Sequence, residues 1–102
     1  MFNEKVALKT LREFWVRHAD AEQPLRAWHD QVSKAIWRQP ADIKAQFGTA
    51  SILKNRRVVF NIKGNDYRLV VALAYNTRLV FVKFVGTHKA YDAIDAETID
   101  AE

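Results

Sequence analysis

A histidine, a tyrosine and an arginine in the second half of the chain have side chains suited to cleaving RNA. In that reaction the 2′-hydroxyl attacks its neighbouring phosphate, so a protein must accept one proton, donate another and stabilise a charged phosphorane. His88 can transfer protons near neutral pH, and Tyr91 follows three residues later, on the same side of any helical turn that begins there. Arg68 offers a rigid cationic fork for a phosphate. These three residues are the candidate catalytic group.

Five further residues are candidate RNA contacts. Arg57, Lys63 and Lys89 supply positive charge without a specific geometry. Asn61 lies on a predicted sheet face and Asn65 in the following turn, where neither is required by the chemistry itself.

Each catalytic candidate also has a purely structural explanation. His88 can be an ordinary surface histidine, and Tyr91 can be a core aromatic residue whose hydroxyl reaches water. Arg68 can form an ion pair, with Asp66, Glu22 or the terminal carboxylate as partner. Residue type and spacing leave these alternatives open.

Other catalytic chemistries fit the sequence less well. The three histidines have neither metal-ligand spacing nor a carboxylate cluster, which disfavours a metal-dependent hydrolase. Cysteine is absent, the three glycines form no phosphate-binding loop, and serine nucleophile motifs are missing. We therefore expect neither a metal ion nor a cofactor, and metal-free RNA chemistry or binding alone remains.

The candidates lie in residues 57–92, which are predicted to form an antiparallel meander of three strands. Turn signals at residues 63–66 and 75–78 separate the strands. In the first strand, Val58, Phe60 and Ile62 alternate with a second face that is expected to be polar and basic. The middle strand carries a continuous apolar run and is expected to be central.

Three helices are predicted before this sheet. Apolar spacing indicates a helix over residues 4–18, a second from residues 20–23 to Trp37 or Arg38, and a third over residues 41–47. Residues 1–3 could add an edge strand. Trp15 and Trp28 are interpreted as core residues, and after a helical turn at residues 89–94 the acidic tail, residues 95–102, is expected to be frayed.

Composition indicates a single α+β domain over residues 1–102. The chain is 49% hydrophobic and 27% charged, which is typical of a globular protein, and it has no segment as long as a membrane span. Glu4 and Lys5 interrupt any potential signal peptide, so a cytoplasmic location is expected. Residues 54–89 are rich in lysine and arginine and contain a single acidic residue, Asp66, a bias that favours an RNA partner.

Two segments, RVVFNIKGNDYRLVV and FVKFVGTHKAYD, closely resemble the signature of HigB-type toxins in the RelE/ParE superfamily. ALKTLREFW, PLRAWHDQV, QPADIKAQFGTASIL and YDAIDAETI resemble family segments in the same order, so the resemblance spans nearly the whole chain. It implies a RelE-like fold in which N-terminal helices pack on a curved antiparallel sheet. By similarity, Arg68 matches a phosphate-binding arginine and His88 falls where members carry a basic catalytic residue. Lys63, Lys89 and Tyr91 match less specifically, and the assignment of acid and base stays open.

The resemblance also implies a function and partners. Such toxins belong to type II toxin–antitoxin systems, cleave translated mRNA at the ribosome, and are neutralised by a HigA-type helix-turn-helix antitoxin, through which they reach operator DNA. A basic concave surface is suited to an acidic helix or strand of such a partner. Two alternatives share the fold: a non-enzymatic inhibitor of DNA gyrase like the ParE branch, and an inactive module that only binds the antitoxin.

Overall fold

A computed structural model describes residues 8–100 of the chain. The helical elements are α1 (Leu8–Arg17), a 3-10 turn (Ala19–Ala21), α2 (Glu22–Ser33), α3 (Pro40–Gln46) and α4 (His88–Tyr91). The strands are β1 (Ser51–Ile52), β2 (Arg57–Ile62), β3 (Tyr67–Ala74) and β4 (Leu79–Thr87), so the α+β fold with helices before the sheet is confirmed. The predicted edge strand at residues 1–3 and the start of the first helix lie outside the described residues. No helix in residues 8–100 is long and apolar enough to cross a lipid bilayer.

The four strands form one antiparallel sheet in the order β1-β2-β3-β4. This order confirms the predicted meander and the internal position of the middle strand, and it adds the short strand β1. Lys63 and Gly64 adopt positive φ angles in the turn between β2 and β3, and Arg78 does so in the turn between β3 and β4. Lys83 forms a bulge where the pairing of β3 with β4 shifts, and such a bulge bends the strand.

The main core lies between the helices and one face of the sheet, called here the inner face. It includes Val58, Phe60 and Ile62, the alternating residues that were predicted to be buried. Trp15 and Trp28 are buried in the same cluster, as predicted, and Trp37 joins them against Phe47 and Phe60. These three tryptophans therefore pack in the core and are not exposed for stacking on bases.

Helix α2 ends earlier than predicted, at Ser33 and not at Trp37 or Arg38. The chain leaves the helix at Lys34, and Trp37 then packs into the core while Ile36 becomes 64% exposed. A continued helix would have placed Ile36 on the apolar stripe. The chain instead ends the helix at Ser33 and buries the indole of Trp37. Pro40 then occupies the first turn of α3, where its missing N–H costs nothing.

The opposite face of the sheet, called here the outer face, was predicted to be polar and basic. It also carries a cluster of buried apolar residues. Val59 and Val70 are buried there against Ala96, together with partly buried aromatic and aliphatic side chains. The segment of residues 92–100, called here the C-terminal segment, covers them, so the prediction of a frayed tail is wrong for residues 95–100. Alternation along β2 shows which residues share a face, but it cannot show which part of the chain returns to cover that face.

Candidate active site

The end of β4 is tied to the turn between β2 and β3 at one rim of the sheet. The His88 backbone N–H donates to the Asp66 carbonyl oxygen over 3.1 Å. Thr87 caps helix α4, because its hydroxyl oxygen accepts a hydrogen bond of 3.1 Å from the Ala90 N–H. His88 therefore begins a short helix directly beside residue 65.

Arg68 and His88, predicted from sequence as a pair, meet at this rim through Asn65. The Arg68 guanidinium donates to Asn65 Oδ1, and Asn65 Nδ2 lies 3.4 Å from His88 Nδ1. His88 remains 44% exposed at its side chain. The cation and the imidazole therefore lie at the same rim, within reach of solvent.

Tyr91 completes this group of four residues, which we call the rim cluster (Asn65, Arg68, His88 and Tyr91). The Arg68 guanidinium lies 5.6 Å from the centre of the Tyr91 ring, in the range of a cation–π contact. Phe84 lies beside Tyr91, with 6.4 Å between ring centres. A side chain at Gly86 would bring its Cβ within 2.6 Å of the Phe84 ring, so glycine leaves the space in which Phe84 supports Tyr91.

Arg68 does not form the ion pairs with Asp66 or Glu22 that were considered as alternatives. Asp66 binds Lys63, and Glu22 binds Arg26 on its own helix. The terminal carboxylate lies outside the described residues. Within those residues, Arg68 is held by an amide oxygen and an aromatic ring and keeps a positive charge that no carboxylate offsets.

Lys63, a predicted RNA contact, is already paired with two carboxylates. Its Nζ lies 3.1 Å from Asp66 Oδ2 and 3.2 Å from Asp20 Oδ2, and hydrogen bonding to Asp66 and then to Asp20 raises the pKa of Lys63. Asp20 also accepts a hydrogen bond from the Tyr67 hydroxyl. The positive φ at Lys63 turns its side chain toward the helical layer, which the alternation of β2 did not indicate.

Arg57, a second predicted RNA contact, is not brought to the rim cluster. It pairs across the sheet with Ala72, four residues along β3 from Arg68, which corresponds to roughly 13 Å of strand. Its guanidinium donates to the carbonyl oxygens of Ala96, over 3.2 Å, and Ile99. Arg57 therefore holds the C-terminal segment.

The remaining predicted contacts, Asn61 and Lys89, do lie near the rim cluster. Asn61 is the cross-strand partner of Arg68 on the outer face. Lys89 follows His88 on α4 and is exposed, and no ion pair of Lys89 occurs within residues 8–100. Arg57 and Lys63 are engaged by other groups, so Lys89 is the predicted cationic contact that remains available beside His88.

Two features of the rim cluster were missed by sequence reasoning. Asn65 bridges Arg68 and His88, although it was interpreted only as an ordinary turn residue and possible RNA contact. The second is Asp92, whose Oδ1 lies 3.5 Å from His88 Nε2. The four-residue spacing on α4 could have indicated Asp92. The position of Asn65 depends on the pairing of Tyr67 with Thr87, which no local pattern reveals.

Solvent reaches the rim cluster, because Asn65 is exposed and the His88 side chain is 44% exposed. A pocket of about 390 Å³ lies at the other end of the sheet, where Asn55, Arg56 and Phe81 line it. Within residues 8–100, no three histidine, cysteine, aspartate or glutamate side chains are arranged to hold a metal ion. The side chains at the rim can bind an anion and transfer a proton, and an open rim suits a polymeric substrate.

Comparisons with known proteins place the chain in one toxin family. Residues 21–94 match the family model HigB_toxin, described as the RelE-like toxic component of a toxin–antitoxin system. The chain is 26% identical over 93 residues to the mRNA interferase toxin HigB of Escherichia coli (strain K12), with 89% of each chain covered. Proteins named mRNA interferase HigB from Escherichia coli O157:H7 and Shigella flexneri match with the same identity and coverage.

Proposed function

Because the chain belongs to the HigB toxin family, the RelE-like toxic component of toxin–antitoxin systems, we propose that it is an mRNA interferase. In this proposal it is an endoribonuclease that inhibits translation by cutting mRNA on the ribosome. The names of the three relatives support the activity. The observation that carries the proposal for this chain is the meeting of Arg68, His88 and Tyr91 at one open rim.

The proposed reaction uses only groups of the protein and of the RNA. The 2′-oxygen forms a bond to phosphorus as the bond from phosphorus to the 5′-oxygen breaks. One proton leaves the 2′-hydroxyl and another reaches the departing 5′-oxygen, with His88 transferring one of them and Tyr91 as the second candidate. Arg68 would bind the non-bridging phosphate oxygens, where negative charge develops. No metal ion or cofactor takes part.

The openness of the rim cluster favours dependence on the ribosome. Three or four side chains on an exposed edge bind an RNA strand weakly and constrain its geometry little. Alignment of the 2′-oxygen with the phosphate can supply a large part of a rate enhancement, and a ribosome holding mRNA can provide that alignment. We therefore expect free RNA to be cut poorly, and the proposed substrate implies action in the cytoplasm.

As a toxin of this family, the chain has an antitoxin as its partner. We propose an antitoxin of the HigA type, with a helix-turn-helix domain through which the complex, and not the toxin alone, binds operator DNA. Arg68 and exposed Lys89 suit an acidic segment of that partner. Such a segment would exclude RNA by both charge and shape.

His88→Ala and Arg68→Ala test the proposal. Each variant should relieve growth arrest and slow the cleavage of ribosome-bound mRNA by at least about 100-fold, because His88 is the proposed proton-transfer group and Arg68 the proposed ligand of the charged phosphate. The measurements are growth after induction, primer extension on mRNA, and cleavage by purified protein on programmed ribosomes. His29→Ala and Arg12→Ala are controls on α2 and α1 and should behave as wild type.

Two outcomes would contradict the proposal. In the first, both variants cleave mRNA at the wild-type rate while circular dichroism shows that they are folded. The other is growth arrest by the wild-type chain with DNA damage and no new, codon-phased mRNA ends, as expected of a gyrase inhibitor.

A further inference from the structure

The amide of Asn65 occupies a position between the two candidate catalytic groups. Its Oδ1 accepts a hydrogen bond from Arg68, and its Nδ2 lies 3.4 Å from Nδ1 of His88. The turn that carries Asn65 is held by the hydrogen bond from the His88 N–H to the Asp66 carbonyl oxygen and by the positive φ angles of Lys63 and Gly64. These backbone constraints fix the turn, and within it the Asn65 amide lies between both neighbours.

Hydrogen-bond chemistry determines how this amide is oriented. A guanidinium has donors only, so the Asn65 atom facing Arg68 must be the oxygen. The atom facing His88 is then the NH₂ group, which can only donate. His88 Nδ1 must accept that hydrogen bond, so the proton of the neutral imidazole belongs on Nε2.

The other side of the imidazole ring is consistent with this assignment. His88 Nε2 lies 3.5 Å from Asp92 Oδ1, which is the distance of an ion pair and places negative charge beside Nε2. This charge favours a proton on Nε2, the same tautomer that the Asn65 amide favours.

We propose that Asn65 is a positioning residue that holds His88 as the Nε2–H tautomer and orients Arg68 beside it. The part of this inference that concerns catalysis rests on the proposed function. Within it, Nε2 is the nitrogen that carries the transferable proton, and Nδ1 is kept from the substrate by the amide. Asn65 itself does not touch the reacting atoms.

The first test is the tautomer of His88, measured without RNA. Long-range ¹H–¹⁵N correlation spectra at mildly alkaline pH distinguish the two ring nitrogens of each histidine, and His88→Gln assigns the signals of His88. We expect the Nε2–H form in the wild type and a mixture in Asn65→Ala. Asn65→Asp should give the Nδ1–H form, because a carboxylate at this position can only accept. His18 and His29 serve as internal references.

A matched control is Asn76→Ala, which changes an exposed asparagine in the turn between β3 and β4. It should leave the tautomer of His88 as in the wild type. An identical tautomer in the wild type, Asn65→Ala and Asn65→Asp would overturn the inference, whether or not the wild type cleaves mRNA.

The second test is cleavage of ribosome-bound mRNA. Asn65→Ala and Asn65→Asp should each lower the rate on the order of 100-fold, as expected when a catalytic group loses its orientation, while Asn76→Ala keeps the wild-type rate. Full cleavage by both Asn65 variants would overturn the catalytic part of the inference. A tautomer that responds to residue 65 in a wild-type protein that does not cleave mRNA would instead refute the proposed function and leave the positioning of His88 supported.

Discussion

Asp20 connects the turn after β2 to the helical layer through two side chains. Its carboxylate accepts a hydrogen bond from the Tyr67 hydroxyl and lies 3.2 Å from Lys63 Nζ. The hydrogen bond from Tyr67 is the main cause of the lowered pKa of Asp20, and Lys63 adds to it. The same turn carries Asn65, so the ion pair between Asp20 and Lys63 helps to hold the rim cluster in position.

The lowered pKa of Asp20 predicts how Asp20→Asn changes stability with pH. A carboxyl group whose pKa is lowered by folding stabilises the protein above its unfolded value of 3.8, and the contribution is lost as the pH falls through the folded value. Asp20→Asn should therefore be less stable than the wild type at about pH 7, and the gap should narrow as the pH falls below 3.8. Urea unfolding at several pH values measures both chains.

Asp30→Asn is the matched control, because Asp30 forms an exposed ion pair with Lys34 within α2. Exposed pairs of this kind contribute little, so the control should differ little from the wild type at any pH. A stability gap for Asp20→Asn that stays constant from neutral to acid pH would contradict the assigned role.

The C-terminal segment covers the outer face of the sheet, as the helices cover the inner face. Arg57 binds two of its carbonyl oxygens, and Asn55 donates to the Glu97 carbonyl oxygen over 3.0 Å. Ile94 and Ile99 pack on the cluster of Val59 and Val70 beneath it. The segment continues directly from α4, so its docking also affects where Tyr91 lies.

Arg57→Ala should loosen this segment. The variant loses charge-assisted hydrogen bonds to the Ala96 and Ile99 carbonyl oxygens, so its free energy of unfolding should fall by about 2 kcal/mol. The amides of Thr98 and Ile99, which donate to the Asp95 carbonyl oxygen, should exchange hydrogen faster. Denaturant unfolding and hydrogen exchange read by mass spectrometry check the two effects.

Arg56→Ala is the neighbouring control, since Arg56 is exposed and lies in the turn before β2. It should change neither stability nor exchange in the C-terminal segment appreciably. Equal effects of the two substitutions would show that charge in this region, and not the contact with the segment, is responsible.

Much of the fold could be predicted from local pattern, and the failures have a common cause. The meander, its two turns and the buried face of β2 follow from alternation and turn residues, which are local signals. The end of α2 at Ser33 and the cover over Val59 depend on contacts between distant segments. The same division applies to the candidate site: residue chemistry indicated Arg68 and His88, whereas the bridging position of Asn65 required the register of β3 with β4.

Positive charge on the protein surface can bind a polyanion only where the fold leaves it unpaired. Arg57 is committed to the C-terminal segment, Lys63 to two carboxylates, and Lys83 lies 3.5 Å from Asp100. Arg68 and Lys89 remain at the open rim. A count of lysine and arginine along residues 54–89 therefore overstates the surface that can bind a polyanion, and it does not show where that surface is.

This difference between cations predicts the salt dependence of RNA binding. Each side chain that neutralises a phosphate contributes about 0.7 to the slope of log K against log salt concentration for a single strand, because it releases a counterion. Lys89→Ala should lower the slope by about that amount. Lys63→Ala should lower it much less, because Asp20 and Asp66 already balance the Lys63 charge. Binding of a fluorescent RNA oligonucleotide to the His88→Ala protein, with each lysine variant added in turn, measures the slopes without cleavage. Equal reductions from the two substitutions would mean that the ion pairs of Lys63 open when RNA binds, and the cationic surface would then extend around the turn to the helical side.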